Sequence, residues 1–389
     1  GGSRMSHLFP TYGRWEVEPE SAKGSYIKAV DGKNYLDFTS GIGVCNLGHC
    51  HPEVEDAVLK QMKKYWHVSN LFPQSIQEQA AKQLAVASGL DLVFFANSGA
   101  EANEAAIKLA RKATNRSKII SFTNSFHGRT FGSMAATGQD KIKQGFGPML
   151  ETFVHLPFND SAALLAEIDD QSAAIVLEIV QGEGGINVVE AEFLATIKKA
   201  CEEKGALLIV DEIQTGIGRT GKPFAFQHYP IVPDIITVAK GLGSGFPIGA
   251  VVGSGKLKDA FGPGSHGSTF GGNPVALSAA LATMKIVFSE TFLNEAVNTG
   301  QYLFTQLEAK LGHLEIVKDI RGLGLMIGIE ISGQVAEVLG ELRLNEFLAL
   351  PAGKNVIRLL PPLNVEKNEV DKAVELLLKS LSNVPSAAV

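Results

Sequence analysis

ALLIVDEIQ (206–214) and DIITVAKGLGSG (234–245) are the two stretches of sequence that decide the fold. Each is a short, nearly continuous apolar run, which is typical of a strand buried on both faces of a parallel sheet. Each run ends in a charged residue, Asp211 in the first and Lys240 in the second. A carboxylate at the end of one strand can stabilise a buried cation at the end of its neighbour. We therefore expect Asp211 and Lys240 to act as a pair.

The same pattern continues through the middle of the chain. DLVFFAN leads into the helical AEANEAAIKLARKA (100–113), KIISF (118–122) follows, and AAIVLEIV (173–180) comes after the helical LLAEI. Short apolar strands separated by helices are what a parallel sheet requires when helices cover both of its faces. The sequence therefore predicts the α/β class, with a large domain built on a mostly parallel sheet covered by helices.

The two ends of the chain carry different patterns, which predict a smaller α+β domain. Near the N-terminus, GSYIKAVDGKNYLDF (24–38) alternates around an Asp31-Gly32 turn, the signature of a β-hairpin. The C-terminal part predicts a long helix, two strands and a closing helix at 273–288, 321–331, 354–362 and 368–381. We expect the two ends to share one sheet.

These patterns divide the chain into three segments. Residues 1–60 and 280–389 are assigned to the small domain, and residues 61–279 to the large, cofactor-binding domain. The tract 331–355 is short and irregular, so it gives no internal boundaries.

Composition narrows the classes of function. A net charge of −6 with interspersed acids and bases gives no basic stripe of the kind that nucleic-acid binders carry. Charged residues interrupt every apolar stretch well short of about 18 residues, so no membrane-spanning helix is expected. Three cysteines (Cys45, Cys50 and Cys201) are too few for a disulfide framework and fit a cytoplasmic protein. We expect small molecules and copies of the same chain as partners. Gly1–Arg4 precede Met5 and are expected to be a remnant of expression.

Lys240 and Asp211 together point to pyridoxal 5'-phosphate. A lysine ending a buried strand is poorly solvated, so its ammonium form is disfavoured and its amine can attack a carbonyl. This cofactor needs an amine to hold its aldehyde as a Schiff base, and an acid to keep its pyridine nitrogen protonated. Gln214, three residues after Asp211, is expected to hydrogen-bond the ring hydroxyl. Lys240 alone also fits a surface lysine whose stem lies on apolar groups.

A phosphate site is predicted within ANSGAEANEAAIK (96–108). Ser98, Gly99 and Ala100 lie between a strand and a helix, where free backbone N–H groups and the helix dipole bind phosphate. The small side chains let the phosphate approach. The alternative is a tight turn in which Ser98 caps the helix.

Two other patterns suggest different ligands. GIGRTGKP (216–223) has the spacing of a nucleotide-binding P-loop, but Pro223 stands where the metal-binding Ser or Thr belongs. His49 and His51 flank a cysteine, which could suggest zinc, but no CxxC or HxxxH companion appears elsewhere. No metal is predicted. Pro52 is instead expected to begin a helix that His49 caps.

Arg129 and Arg358 each require an anionic partner. Arg129 lies in SFHGRT and Arg358 in NVIRLLPP, apolar or glycine-rich contexts in which a guanidinium needs a carboxylate or a phosphate. Glu183, in QGEGG (181–185), is the candidate partner within the chain. A structural salt bridge is the alternative for either arginine.

Segments along nearly the whole chain resemble, in order, the class III aminotransferases, a family of fold type I pyridoxal-phosphate enzymes. They are SGAEANEAAIKLAR, SFHGRT, GEGG, IVDEIQTGIGRTGK, DIITVAKGLGSGFPIGA, HGSTFGGNP and IRLLPP. The resemblance implies pyridoxal 5'-phosphate as cofactor and a homodimer with shared active sites.

The resemblance also implies a role for each cofactor-binding candidate. Lys240 is the Schiff-base lysine and also moves the proton between the substrate carbon and the cofactor, and Asp211 pairs with the pyridine nitrogen. The remaining implied contacts are Gln214 near the ring oxygen, Phe126 on the ring face, Ser98, Gly99 and Ala100 at the phosphate, and Thr269 from the second subunit.

Four residues are implied to bind substrate. Arg129 holds a substrate carboxylate, and Ser268 lies near the substrate. Arg358 binds the α-carboxylate of glutamate, and Glu183 pairs with Arg358 when the donor enters through its terminal amine. The implied reaction is ping-pong transfer from N2-acetyl-L-ornithine to 2-oxoglutarate, giving N-acetyl-L-glutamate 5-semialdehyde and L-glutamate, a step of arginine biosynthesis. Ornithine, succinylornithine and 4-aminobutyrate are alternative donors.

Overall fold

The structure is a computed structural model that describes residues 5–384, so the predicted expression remnant Gly1–Arg4 lies outside the described residues. In chain order its strands are β1 (Pro19–Lys23), β2 (Tyr26–Ala29), β3 (Asn34–Asp37), β4 (Leu92–Ala96), β5 (Lys118–Phe122), β6 (Phe153–Leu156), β7 (Ser172–Leu177), β8 (Val180–Gln181), β9 (Asn187–Val188), β10 (Leu207–Asp211), β11 (Ile235–Val238), β12 (Gly249–Gly253), β13 (Val317–Leu323), β14 (Met326–Ile331), β15 (Phe347–Leu348), β16 (Leu350–Ala352) and β17 (Val356–Leu359).

The α-helices surround these strands. They are α1 (Ser40–Gly43), α2 (Pro52–Met62), α3 (Ser75–Ser88), α4 (Gly99–Thr114), α5 (Phe131–Ala136), α6 (Ser161–Glu167), α7 (Ala191–Lys204), α8 (Pro274–Val287), α9 (Glu290–Leu311), α10 (Val335–Leu344) and α11 (Lys367–Ser382).

A seven-stranded sheet in the order β4-β12-β11-β10-β7-β5-β6 forms the centre of the molecule. Only β12 runs antiparallel to its neighbours within this sheet, and the other pairs are parallel. Every residue of β7, β10 and β11 is buried, with α4 and α7 packed against the sheet. The predicted α/β fold with a mostly parallel sheet is confirmed.

The two decisive stretches of sequence form adjacent strands. Strand β10 pairs in parallel with β11, and Asp211 at the end of β10 lies in register with Thr237. Lys240 follows the end of β11 by two residues and begins a short 3-10 turn, Lys240–Leu242. Both charged side chains therefore lie at the carboxyl edge of the sheet, where α/β folds bind their ligands.

Both ends of the chain contribute to one small sheet, in the order β1-β2-β3-β15. The predicted hairpin is formed by β2 and β3, and β15 adds in parallel to β3, with Phe347 opposite Leu36. A second small sheet has the order β13-β14-β17-β16. The tract 331–355 contains α10, β15 and β16. The domain boundaries at 60 and 280 stay predictions.

The N-terminus of α2 corrects one expectation. The helix begins at Pro52, as predicted, but its cap is His51, whose Nδ1 accepts a hydrogen bond from the N–H of Glu53 at 3.2 Å. His49 lies two positions before this cap, too early to reach the unpaired N–H groups of the first turn. Its Nε2 instead lies 2.7 Å from Oδ2 of Asp37.

Apolar side chains from one face of the large sheet and from the chain ends form the largest core cluster, and the other face of the sheet packs in a separate one. The largest fully buried members of the first cluster include Phe38, Phe122, Phe193, Phe224 and Phe347. Within residues 5–384, no single helix is long and apolar enough to cross a membrane. Helices α8 and α9 meet that test of length and composition only together, as a pair bent by 73°.

Candidate active site

A cavity of about 470 Å³ opens at the carboxyl edge of the large sheet. Nine of the twelve predicted site residues line it: Ser98, Gly99, Ala100, Phe126, Arg129, Glu183, Asp211, Gln214 and Lys240. They follow β4, β5, β8, β10 and β11, so the ends of different strands place residues that are far apart in sequence around one space.

One end of the cavity is the N-terminus of α4. Ser98 caps the helix, because its hydroxyl accepts from the N–H of Glu101 at 3.2 Å and its carbonyl accepts from Ala102 at 3.0 Å. The N–H groups of Gly99 and Ala100, at the start of the first turn, have no carbonyl within the helix to bind. Ser98 therefore caps the helix, and the same turn presents N–H donors to the cavity, where phosphate binding stays a prediction.

Asp211 is a buried carboxylate held from three sides. Its Oδ2 lies 2.7 Å from Nδ1 of His127 and accepts from Nδ2 of Asn103 at 3.0 Å. Its Oδ1 accepts from the N–H of Ile213 at 2.9 Å. An orientation fixed by these contacts leaves further lone pairs of the carboxylate available to a cationic N–H donor in the cavity.

His127 and Asn103 form a supporting pair behind Asp211. His127 is fully buried, and its carbonyl accepts a second hydrogen bond from Asn103 at 2.7 Å. Within residues 5–384, Nε2 of His127 has no hydrogen-bond partner. The pair fixes both the position of the Asp211 carboxylate and the loop that carries Phe126.

Lys240 presents its amine to the cavity from a strained position. Its backbone has φ of +44°, in the left-handed region that non-glycine residues rarely adopt. Its Nζ donates to the carbonyl of Ile42 at 3.1 Å. Burial lowers the pKa of Lys240 to about 8, and the positive charge of Arg358 acts in the same direction. Near pH 7 the unprotonated fraction of the amine is therefore roughly a tenth, far more than for a lysine with its usual pKa of 10.5.

Phe126 and Arg129 form the wall next to Asp211. The guanidinium of Arg129 lies 5.9 Å from the centre of the Phe126 ring, within cation–π distance. The N–H of Phe126 donates to Oε1 of Glu178 at 3.1 Å. Burial, followed by the nearby charge of Asp211, raises the pKa of Glu178 well above its usual value.

Arg358 is not among the residues that line the cavity, but it contacts the lining residue Gln214. The guanidinium is 4% exposed, and its Nη1 donates to Oε1 of Gln214 at 3.1 Å. Burial lowers the pKa of Arg358 to about 10, while the charge of Glu183 opposes that change. Among the described residues no salt bridge joins Arg358 to a carboxylate.

Ser268 and Thr269 lie outside the lining of this cavity. Ser268 is its neighbour, since its hydroxyl accepts from Nδ2 of the lining residue Asn97 at 3.3 Å. Thr269 is exposed and borders a separate small cleft that contains Asn70. A single chain therefore does not bring Thr269 to the end of the cavity formed by α4.

The GIGRTGKP segment does not form a P-loop. The next helical element in the described chain is a 3-10 turn, Ala225–His228, and not the α-helix whose N-terminus would bind a phosphate. Arg219 of this segment is fully buried and donates to the carbonyls of Leu325 and Pro361. Within residues 5–384, no group of three His, Cys, Asp or Glu residues is placed to hold a metal ion.

Sequence reasoning missed several residues of the site. His127 and Asn103 support Asp211 across 84 and 108 residues of sequence, a separation that no local pattern reveals. Glu178 was detectable, because it is a carboxylate within the apolar run AAIVLEIV, the same signal that identified Asp211. The site as a whole combines an amine, a fixed carboxylate and a helix N-terminus, which suit a phosphate-bearing aromatic molecule with a carbonyl group.

Comparison with known proteins gives a consistent picture. The profile of the family described as Aminotransferase class-III matches residues 11–381. The chain is 60% identical over 380 residues to acetylornithine aminotransferase of Bacillus subtilis (97% of this chain, 98% of that protein). It is 50% identical over 374 residues to the acetylornithine aminotransferase of Streptococcus mutans (96% and 98%).

Solved structures agree with the sequence comparison. The ornithine aminotransferase of Toxoplasma gondii, whose active site holds pyridoxal phosphate at partial occupancy, superposes with a TM-score of 0.92 at 33% identity. That match covers 96% of this chain and 92% of the other. The N-acetylornithine aminotransferase of Stenotrophomonas maltophilia gives a TM-score of 0.84 at 33% identity, covering 95% and 97%.

Proposed function

Because the chain belongs to the class-III aminotransferase family, we propose that it transfers the terminal amino group of N2-acetyl-L-ornithine to 2-oxoglutarate, using pyridoxal 5'-phosphate. The products are N-acetyl-L-glutamate 5-semialdehyde and L-glutamate. The choice of donor rests on relatives at 50–60% identity over nearly their whole length, which are acetylornithine aminotransferases. The observation that carries the chemistry is that the Lys240 amine and the fixed Asp211 carboxylate line one cavity.

The residues present fit this cofactor. Free N–H groups of Gly99 and Ala100 at the N-terminus of α4 suit a phosphate, and Gly99 packs so closely that an added Cβ would lie 2.9 Å from Ile213. The Asp211 carboxylate suits a protonated ring nitrogen, and the Lys240 amine suits the aldehyde. When bound, pyridoxal phosphate supplies an aldehyde that bonds to amines and a protonated ring that withdraws electrons.

Lys240 has two tasks in this proposal. With the cofactor bound, its amine would hold the aldehyde, and its Nζ, once free again, would accept a proton from the substrate carbon next to nitrogen. Both tasks need the unprotonated amine, which the lowered pKa near 8 makes available. Asp211 would keep the ring nitrogen of the bound cofactor protonated, and His127 holds the carboxylate in position.

Arg129, Arg358 and Glu183 distinguish the two substrates. We assign Arg358 to the α-carboxylate of glutamate and 2-oxoglutarate, and Arg129 to a second substrate carboxylate. The donor enters through a terminal amine, so one pocket must expose a positive charge in one half-reaction and neutralise it in the other. Gln214 already accepts a hydrogen bond from Arg358, and the charge of Glu183 acts on the same guanidinium.

A homodimer is part of the proposal. Trp66, Leu71, Phe72 and Phe270 are all more than half exposed, and an apolar surface of this kind suits contact with another chain. Thr269 is adjacent to Phe270, so a partner placed there would bring its own Thr269 toward the phosphate end of the cavity. The negative net charge and the free cysteines are the basis for proposing a cytoplasmic enzyme that binds neither nucleic acid nor membrane.

A panel of single half-reactions tests the donor. The purified enzyme with cofactor is mixed with N-acetylornithine, ornithine, succinylornithine or 4-aminobutyrate, and the loss of the visible cofactor absorbance is followed. We expect N-acetylornithine to give the largest kcat/KM, by about tenfold or more over ornithine. A faster reaction with another donor would overturn the proposed substrate, and a protein that stays colourless with added cofactor would overturn the chemistry.

A further inference from the structure

The loop between β8 and β9 carries Glu183, and Arg321 of β13 holds this loop from the second small sheet. Nε of Arg321 donates to the carbonyl of Ile186 at 2.9 Å, and its Nη2 donates to the carbonyl of Gly185 at 2.7 Å. The third nitrogen, Nη1, pairs with two carboxylates of the same small sheet. A planar guanidinium that is itself held in place therefore fixes two consecutive carbonyls of the loop. Arg321 does not line the cavity.

The two carbonyls belong to the strained part of the loop. Gly185 has φ of +138° and Ile186 has φ of +56°, in the region that residues with a side chain rarely adopt. For a β-branched residue this conformation is unfavourable, and it persists only where surrounding contacts enforce it. Ile186 is fully buried, and an added Cβ at Gly328 would lie 2.9 Å from its side chain. The hydrogen bonds of Arg321 therefore hold the loop where it would otherwise relax.

Arg321 and Arg358 lie in one row of the small sheet, with Gly328 between them. Arg321 of β13 is directly opposite Gly328 of β14, and Gly328 is directly opposite Arg358 of β17. Residues that face each other across antiparallel strands project from the same side of the sheet. The side chain of Ile186 packs against the glycine in the middle of this row. One arginine of the row therefore holds the loop, and the other is the one assigned to the substrate α-carboxylate.

The other end of the loop contacts the hydrogen-bond partner of Arg358. An added Cβ at Gly182 would overlap Oε1 of Gln214, the same atom that accepts from Nη1 of Arg358. Glu183, the next residue, lines the cavity, and its carbonyl accepts from the N–H of Gly353 at 2.9 Å. The backbone of Glu183 is thus fixed between Gln214 and the strained turn. A relaxed loop would therefore move the Glu183 carboxylate relative to the Arg358 guanidinium.

From this arrangement we propose that Arg321 is a positioning residue for Glu183, which it places so that the carboxylate can neutralise Arg358 when the amine donor enters. The inference rests on the proposed function, in which Arg358 is exposed to a dicarboxylate and neutralised for the donor. Without Arg321 the strained turn relaxes, and Glu183 no longer competes with a dicarboxylate for the guanidinium. The donor then meets an uncompensated positive charge.

Glutarate tests this proposal without any reaction. It has two carboxylates but neither a ketone nor an amine, so its binding reports only how available the positive charge is. In calorimetric titration of the holoenzyme, the Kd of glutarate should be about threefold to tenfold lower in Arg321→Ala than in the wild type, because Glu183 competes less. An equal or higher Kd overturns the inference. This result does not depend on which amine is the natural donor.

Half-reaction kinetics test the selectivity. In Arg321→Ala we expect the KM for N-acetylornithine to rise about tenfold with kcat within about threefold, while kcat/KM for 2-oxoglutarate does not fall. Equal losses in both half-reactions would be the mark of a purely structural role and overturn the inference. A wild type that does not react with N-acetylornithine overturns the proposed donor, and the glutarate comparison then decides the role of Arg321 by itself.

Arg116→Ala is the matched control for lost packing. Arg116 also donates to two carbonyls, those of Ser172 and Lys204 at 3.2 and 2.6 Å, but it lies at the start of β7, away from the cavity. Its loss should leave the glutarate Kd and the donor KM as in the wild type. The same changes in Arg116→Ala as in Arg321→Ala would overturn the inference.

A double-mutant cycle tests the route through Glu183. In a Glu183→Gln background, Arg321→Ala should alter the glutarate Kd and the donor KM by less than about twofold, because the charge that Arg321 positions is already absent. The full effect of Arg321→Ala in that background overturns the route through Glu183.

Discussion

The two ends of the cavity are built in different ways. The cofactor end, which we define as Ser98, Gly99, Asp211 and Lys240, comes from strands of one sheet and the turns that directly follow them. The carboxylate end, defined as Arg129, Glu183 and Arg358, draws on three separate parts of the chain, and Arg358 lies in a different sheet.

This difference suggests that one end of the cavity serves the reaction step and the other end selects the substrate. Asp211 is fixed by three hydrogen bonds, so the cofactor end is rigid and suits a reaction step shared by every substrate. Arg358 makes one side-chain hydrogen bond to Gln214, and its Nε has no partner within residues 5–384. The Arg358 guanidinium therefore keeps a donor free for another partner, as the proposed exchange of substrates requires. Changes at the cofactor end should impair both half-reactions, whereas changes at the carboxylate end should impair one.

Lys240→Ala is expected to have the largest effect. Removal of the amine takes away both the bond to the cofactor and the proton acceptor, so kcat should fall by roughly 10⁴-fold in both half-reactions. The measurement is single-turnover kinetics with each substrate, and borohydride should no longer attach the cofactor to the chain. Lys222→Ala, an exposed lysine of the P-loop-like segment, is the control that should keep full activity. An active Lys240→Ala protein would contradict the assignment.

Asp211→Asn comes next. The amide retains the shape of the side chain but cannot keep the ring nitrogen protonated by charge, so we expect kcat to fall roughly 100-fold for both substrates. Asp234→Asn is the matched control, because Asp234 is a buried carboxylate at the start of β11 that binds Lys256 and the N–H of Leu208. A selective effect of Asp211→Asn on one half-reaction would contradict the claim that changes at the cofactor end impair both half-reactions.

Sequence identified residues at both ends of the cavity, but only at the cofactor end did local pattern also indicate how they come together. Asp211 and Lys240 each end an apolar run, and Ser98 separates a strand from a helix, so local pattern located all three. The contact of Arg358 with Gln214 spans 144 residues, and it depends on how the second small sheet packs against the large one. The contact of His49 with Asp37 spans 12 residues and was not predicted, because the pattern around His49 suggested a helix cap. Local signals identify strand ends; contacts between sheets require the folded chain.

The pH dependence of cofactor attachment gives a third test. Because the pKa of Lys240 is lowered to about 8, the unprotonated fraction should rise about 50-fold between pH 6 and pH 8 and then level off. The measurement is the rate at which the cofactor-free protein gains visible absorbance after mixing with pyridoxal phosphate. A lysine with its usual pKa of 10.5 would instead keep gaining rate well above pH 8. A rate that rises steadily to pH 10 would contradict the burial of this amine.

Arg358→Ala tests the carboxylate end directly. Loss of a charged hydrogen-bond donor should weaken the reaction with 2-oxoglutarate by about 2 kcal/mol, roughly 30-fold in kcat/KM. The N-acetylornithine half-reaction should change by less than about threefold, because its terminal amine does not need this guanidinium. Arg343→Ala is the control, since its guanidinium lies 4.9 Å from the centre of the Trp15 ring and Arg343 does not line the cavity. Equal losses in both half-reactions would show that Arg358 supports the whole cavity and does not select substrate.

Glu212→Gln should separate stability from chemistry, because Glu212 directly follows Asp211 but faces the core. It is fully buried and accepts hydrogen bonds from the hydroxyl of Thr215 and from the N–H groups of Ala225 and Phe226. Burial raises the pKa of Glu212 to about 7, above its usual 4.5. The folded state therefore binds more protons than the unfolded chain between those two pKa values. The contribution of Glu212 to the free energy of unfolding is complete below about pH 4.5. That contribution is lost as pH rises through about 7.

The comparison of wild type with Glu212→Gln isolates the pH-dependent contribution of Glu212 to the free energy of unfolding, since both proteins share all other titrating groups. In urea unfolding, the free energy of unfolding of the wild type should fall by up to about 3 kcal/mol more than that of the variant as pH rises from about 4.5 to above 7. The glutamine has one acceptor oxygen for three donors, so the variant should also be less stable by about 1–3 kcal/mol at the lower pH. Its kcat should stay within about twofold, because Glu212 does not line the cavity. A large loss of kcat in a folded variant would mean that rigidity at the cofactor end depends on the core beneath it as much as on the contacts of Asp211.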